Sequence, residues 1–235
     1  MKLSVVIPVY NEIKFVQEIV KQVKALPIKD LEIIMVDDFS TDGTREILKN
    51  EMEGQVDKIL YHERNKGKGA AVRTGFPHAT GDYVIVQDAD LEYDPQDYLK
   101  MIKVAEEKDA DVVYGSRYMT KKADRILGFY HTAGNKFITL LFNMFHDTNF
   151  TDVETCYKMF KRELLQSFDL VENRFGFDPE ITAQAVAKTS SIYEVGISYN
   201  QRWYGEGKKI GIRDAFRALY VIIRSAVKNK TKKNR

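Results

Sequence analysis

The amino-acid sequence predicts an α/β domain, a mostly parallel sheet with helices on both faces. Three observations carry that expectation. Short β-branched apolar runs recur along the chain, segments of helical period lie between them, and carboxylates follow the ends of several runs, where open parallel sheets bind their ligands.

Strands are expected over 3–9, 31–36, 58–61, 83–86, 112–114 and 192–197, each short and largely β-branched or aromatic. A helix is expected over 13–26, where Val16, Ile19, Val20 and Val23 share one face. Another runs over 41–52, with Ser40 or Thr41 as its cap, and helices follow over 69–79 and 95–107, the last opened by Asp94-Pro95. The alternation fails after Tyr114: 115–129 reads as a long loop with four basic residues, Arg117 among them. Then come a helix over about 132–145, a polar turn, a short strand over 156–160, and a helix over 179–188 after Phe177-Asp178. The domain occupies 1–212, and a basic amphipathic helix and tail occupy 213–235.

The chain has 235 residues, 44% hydrophobic and 30% charged, enough to bury one sizeable core. The single cysteine, Cys156, excludes an intramolecular disulfide framework and reads as a packed thiol. No N-terminal run has signal-peptide form, so folding in the cytosol is expected. No stretch approaches the ~20 apolar residues of a spanning helix, which limits membrane association to the surface. Net charge is +2, but 208–235 holds 10 basic residues against Asp214 alone. The tail is therefore basic on an acidic body. No nucleic-acid-binding module accompanies it, and nucleic acid is not expected as a partner.

The densest chemistry is Gln87-Asp88-Ala89-Asp90-Leu91-Glu92, directly after the run 83–86. Side chains at i and i+2 share a face of extended backbone, so Asp88 and Asp90 can close on one hard cation, with Glu92 as a third oxygen ligand. Taken alone, Asp-x-Asp is also a turn whose carboxylates bond their own backbone. Its position after a strand and before a helix start favours a metal and diphosphate site.

The first strand ends in Pro8, Tyr10 and Glu12, and the second in Asp37 and Asp38. Tyr10 can stack on a base, and carboxylates can accept from uracil or guanine and from ribose hydroxyls. Helix capping competes for Asp37-Asp38, as does the acidic pocket of a receiver domain, which would leave 88–92 unexplained. Lys66, Gly67 and Lys68 precede a helix and can favour phosphate at its N-terminus, or form a glycine turn with solvated lysines.

Four motifs, 4–12, 36–44, 65–69 and 88–90, occur in the order found in family 2 glycosyltransferases of GT-A fold, which this chain resembles. The later segments 115–117, 152–158 and 202–211 resemble the polyprenol-phosphate (dolichol-phosphate) glucosyl- and mannosyltransferase branch. The resemblance implies a nucleotide-diphospho-sugar transferase. In it Pro8, Tyr10, Glu12 and Asp37 or Asp38 hold the nucleoside of a UDP- or GDP-sugar, and Lys66, Gly67, Lys68 and Ala89 lie at the donor. Asp88 and Asp90 bind Mg or Mn, with Glu92 where the branch often has Gln. Transfer inverts the anomeric carbon.

A lipid phosphate is already anionic at neutral pH and needs a cationic cradle more than a base. Arg117 and Arg202 are the candidates, as planar forks suited to phosphate. Arg125 and His131 are weaker candidates for the same acceptor. Asp90, Arg117, Arg202 and Asp152 form the catalytic set. Asp152 and Glu154 stand where hydroxyl-acceptor relatives keep a base, and they can also bind sugar hydroxyls or form a turn. Trp203 and Tyr204 cover a substrate or pack.

At about 100° per residue Arg213, Arg217, Arg224 and Lys228 fall within an arc of roughly 60°, opposite Phe216, Leu219, Ile222, Ile223, Ala226 and Val227. This gives a helix that either packs on the domain or docks on an anionic membrane. The sequence thus points to hexose transfer, glucose or mannose, onto a polyprenyl (dolichyl or undecaprenyl) phosphate by a peripheral protein at a cytoplasmic membrane face. Transfer to a glycan hydroxyl is the enzymatic alternative. A non-catalytic nucleotide-binding or receiver-like protein is the alternative outside enzymes.

Overall fold

A computed structural model of the chain describes residues 1–119, 127–201 and 212–233. Seven strands form one sheet: β1 (Lys2–Val9), β2 (Asp30–Asp37), β3 (Lys58–Tyr61), β4 (Tyr83–Val86), β5 (Val112–Ser116), β6 (Lys158–Lys161) and β7 (Ile192–Gly196). Their order is β3-β2-β1-β4-β6-β5-β7. Only β6 runs antiparallel to its neighbours β4 and β5; the other pairings are parallel.

The central strands are apolar on both faces because helices cover both. Val5, Val6 and Ile7 of β1 and Ile33 to Val36 of β2 are buried. Around the sheet lie α1 (Val16–Lys24), α2 (Thr44–Ile47, continued as a π-helix over Leu48–Met52), α3 (Lys68–Gly75), α4 (Tyr98–Lys108), α5 (Phe129–His146), α6 (Arg162–Gln166), α7 (Phe177–Lys188) and α8 (Ile212–Lys233). In α1 the buried residues are the four that share its apolar face. The helix α3 lies close on β1, where a Cβ at Gly75 would sit 2.5 Å from Val6 Cγ1.

Registers bring the strand ends to one edge: Val9 pairs with Asp37, and Asp37 with Tyr61. Because β6 is antiparallel, its N-terminal approach, residues 152–157, arrives at the edge where β1, β2, β4 and β5 end.

Three local expectations differ from the structure. The helix expected from 41 begins at Thr44, and neither Ser40 nor Thr41 caps it. Ser40 Oγ accepts from Asn11 N instead, and the Asp42 carboxylate accepts from Thr44 N at 3.0 Å. The Asp94 side chain does cap, but over a 3₁₀ turn (Pro95–Asp97) that precedes α4. The short helix α6 has no counterpart in the sequence reading, since five residues are too few to show a period.

Candidate active site

Three non-glycine residues have left-handed backbones just past the three central parallel strands: Asn11 (φ 55°) after β1, Phe39 (φ 67°) after β2 and Leu91 (φ 58°) after β4. Such positions cost energy and persist where surrounding contacts hold them, often at ligand sites. Each turns the chain so that the preceding Tyr10, Asp38 or Asp90 stays at the shared edge.

Of the residues expected at the donor, Tyr10 is 47% exposed at this edge, so its ring is open to a stacking partner. Pro8 and Glu12 are partly buried beside it, and Glu12 N donates to Thr44 Oγ1. Asp37 is buried, with Oδ2 2.6 Å from Arg45 Nε and Oδ1 accepting from Ser40 N. Asp38 accepts from His62 Nδ1 (2.7 Å), Lys66 N (2.8 Å) and Gly67 N (2.7 Å). Both carboxylates are thus committed to the protein, and Asp38 fastens the loop that precedes α3. That loop needs glycine at 67: its φ is 96°, and a Cβ there would meet Asn173 O at 2.5 Å. Lys66 is exposed.

Lys68 turns inward, its Nζ 2.7 Å from Asp88 Oδ1 and 2.9 Å from Oδ2. Crowding by the protein disfavours its charge, but the Asp88 carboxylate more than offsets this and holds the ammonium well above the ordinary lysine range. An ammonium seated on Asp88 shows that this carboxylate accepts a cation, and carboxylate oxygens are the donors Mg or Mn takes. Asp90 Oδ1 accepts from Glu92 N at 3.3 Å, and Ala89 is buried between the two aspartates.

Glu92 has a hydrogen-bond partner that its place in the sequence did not announce. The left-handed turn at Leu91 carries it toward Tyr199, whose hydroxyl donates to Oε2 at 2.9 Å. Among the described residues no three His, Cys, Asp or Glu side chains gather as a metal-holding group. Asp88 and Asp90, with Glu92 two residues on, carry the carboxylate oxygens that a divalent cation takes.

Gln87 anchors this turn. Its Oε1 accepts from Tyr98 and Tyr157 hydroxyls, and its Nε2 donates to Asp88 O.

Of the residues expected at the acceptor, Arg117 and Asp152 form a buried bidentate pair, Nε to Oδ2 and Nη2 to Oδ1 both at 2.7 Å. Burial opposes the guanidinium charge, but Tyr93 and Asp152 hold it well above the ordinary arginine value. Asp152 therefore neutralises Arg117, and only Nη1 lies outside the pair. Two residues on, Glu154 Oε1 is buried and Thr155 Oγ1 with it, neither with a hydrogen-bond partner. Burial first, then the nearby charge of Asp178, push the Glu154 carboxyl up to about 8, against the pull of Lys158 and Arg117. Burial also pushes the Cys156 thiol up, as befits packing rather than nucleophilic attack.

Lys158, the last residue of the 152–158 motif but given no role of its own there, is 1% exposed and bonded to Asp178 and to Thr155 O. Its place in that motif was its signal. His62 and Arg45, which hold Asp38 and Asp37, gave none. His131 is half-buried in the first turn of α5. Arg202, Trp203, Tyr204 and Arg125 lie outside the described residues.

The profile of glycosyl transferase family 2 matches residues 4–168. The low-salt glycan biosynthesis hexosyltransferase Agl6 of Haloferax volcanii is 29% identical over 95% of this chain and 54% of its own length. The undecaprenyl-phosphate 4-deoxy-4-formamido-L-arabinose transferase of Yersinia enterocolitica is 29% identical over 88% of this chain and 62% of its own length. The chain thus spans little more than half the length of these relatives. Among solved structures, Mycobacterium tuberculosis glucosyl-3-phosphoglycerate synthase with Mn2+, UDP and glucosyl-3-phosphoglycerate superimposes with a TM-score of 0.73 at 16% identity, over 96% of this chain and 80% of that one. S. aureus TarS with UDP-GlcNAc gives 0.66 at 17% identity, over 96% and 66%. The fold is that of GT-A glycosyltransferases.

Proposed function

The chain belongs to glycosyl transferase family 2, and from that premise we propose that it moves a hexose, glucose or mannose, from a UDP- or GDP-sugar to a polyprenyl phosphate at the cytoplasmic face of a membrane. The observation that carries this reading is the convergence of Tyr10, the Asp38-held loop and the Asp88-Asp90 turn on one edge, with a pre-formed arginine site beside them. The Yersinia relative, named for undecaprenyl phosphate, supports the lipid acceptor.

Tyr10 stacks the base. Asp37 and Asp38, already bonded within the protein, act by positioning Arg45 and the 66–67 loop around the nucleoside. Lys68, beside Asp88, faces the donor diphosphate. A divalent cation, Mg or Mn, held by Asp88 and Asp90 would supply the charge that offsets the leaving diphosphate. Arg117, pre-oriented by Asp152, and Arg202 hold the acceptor phosphate, whose own charge serves in place of a general base. Glu154, protonated at neutral pH, offers a hydrogen bond to a sugar hydroxyl.

The unpartnered Glu154 oxygen also supports a second reading, transfer to a glycan hydroxyl, since a carboxyl near 8 is placed for general base work. A panel of UDP- and GDP-sugars with Mn and polyprenyl phosphate, followed by identification of the glycolipid, tests the first reading. Arg202→Ala is expected to lower kcat/KM for the lipid phosphate by about 10²–10³ with nucleotide binding retained. Unchanged turnover overturns the acceptor assignment. Sugar transfer that appears only with glycans and follows a pH profile through 8, lost in Glu154→Gln, establishes the second reading. No sugar release from any donor leaves a non-catalytic nucleotide-binding protein.

A further inference from the structure

The surface of this protein is inverted on two adjacent helices. In α5 the buried residues are Asn135, Thr139 and Phe142, while Phe129, Tyr130, Phe137, Leu140 and Met144 face outward, Tyr130 83% and Met144 70% exposed. At about 100° per residue those five fall within an arc of roughly 100°. Single exposed apolar residues are ordinary, but a continuous stripe of large ones marks a contact surface.

The neighbouring α8 repeats the pattern. Phe216, Tyr220, Ile223 and Val227, spaced at helical repeats, are exposed, and Phe216 is 68% so. Ala218, Val221, Ile222 and Ala226 pack inward. The basic stripe expected to meet a membrane is largely spent: Arg217 pairs with Glu172, Arg224 with Glu172 and Glu180, and Lys228 with Asp169. The two helices touch, Ser225 Oγ lying 3.2 Å from His146 Nε2.

We infer that the outward faces of α5 and α8 form a lipid-docking surface that seats in the headgroup boundary of an anionic bilayer. The inference rests on the lipid-phosphate reading above and moves the contact from the cationic stripe to these apolar stripes. Two observations choose the occupant. The first is charge: α5 has no acidic residue, its one full charge is the exposed Lys136, and 229–235 adds four basic residues and no acidic one. A second copy would set cation against cation, whereas an anionic surface complements them. The second is continuity with the cleft. The inner face of α5 meets the residues flanking the Arg117–Asp152 pair, with Asn135 Nδ2 donating to Tyr118 Oη at 3.5 Å and Val153 N donating to Thr139 Oγ1 at 3.2 Å. Docking α5 therefore sets the cleft beside the headgroup layer, where a polyprenyl phosphate presents its charge.

The test is co-sedimentation of the full chain with vesicles of phosphatidylcholine alone and of phosphatidylcholine with phosphatidylglycerol in equal parts. The variants are a triple Phe137→Ser, Leu140→Ser, Met144→Ser and a triple Phe216→Ser, Ile223→Ser, Val227→Ser, with thermal melts to confirm folding. Mixed vesicles are expected to bind wild type, and each triple variant at least about tenfold more weakly with little change in Tm. Equal binding by the variants overturns the inference, as does a wild-type dimer in light scattering that the same substitutions dissociate. A water-soluble short-chain prenyl phosphate separates the two readings. Transfer to it without vesicle binding sinks docking alone, and vesicle binding with no transfer to any prenyl phosphate sinks the acceptor reading alone.

Discussion

Replacing Glu154 by Gln should change stability in a pH-dependent way. The carboxyl sits at about 8 in the folded chain against an ordinary 4.5, with burial the chief cause. A carboxyl raised on folding binds its proton more tightly in the native state, so its favourable contribution is complete below 4.5 and is lost as pH rises through 8. The difference is about 3.5 units at 1.36 kcal/mol each, a ceiling of about 5 kcal/mol. Solvent reaches part of the side chain, so roughly half of that is expected. Glu154→Gln keeps the shape and removes the ionisation. Urea unfolding at pH 5 should then find the two proteins nearly equal, and at pH 9 the variant more stable by about 2–3 kcal/mol. A stability difference that is the same at both pH values would refute the placement of Glu154 in a buried pocket beside Asp178.

Two further outcomes follow from the ion pairs. Asp152→Ala strands the buried Arg117 guanidinium and should cost about 3–5 kcal/mol in urea unfolding; a loss under 1 kcal/mol would mean water reaches the pair. Lys68→Gln removes the ammonium that occupies Asp88, so Mn(II) titrated by electron paramagnetic resonance should bind several-fold more tightly. Weaker metal binding in that variant would place the cation elsewhere.

The DxD turn shows how far residue order reaches. Asp88 and Asp90 could be placed past a strand because the run 83–86 is short, apolar and mostly β-branched, and β4 spans those residues. Glu92 could not be placed, because the left-handed Leu91 and the partner Tyr199, over a hundred residues on, decide its direction. Asp37 and Asp38 were legible as strand-end carboxylates, but their partners Arg45, His62 and Gly67 lie across the β2–α3 connection. The burial of Lys158 was not legible for the same reason: its partner Asp178 opens a different helix.

By itself the sequence determined the alternation of strands and helices, the parallel edge and the acidic and aromatic residues delivered to it. Those follow from local period and from strand ends, which are short-range properties. Only the tertiary structure decided which charges remain available there. Arg117 is neutralised by Asp152, Lys68 sits on Asp88, and Arg217 and Arg224 of α8 turn back to Glu172 and Glu180, leaving phenyl and aliphatic groups outward. The reason is physical. A helical wheel fixes which residues share a face, but the partner that a buried charge must find is supplied by packing between segments far apart in the chain.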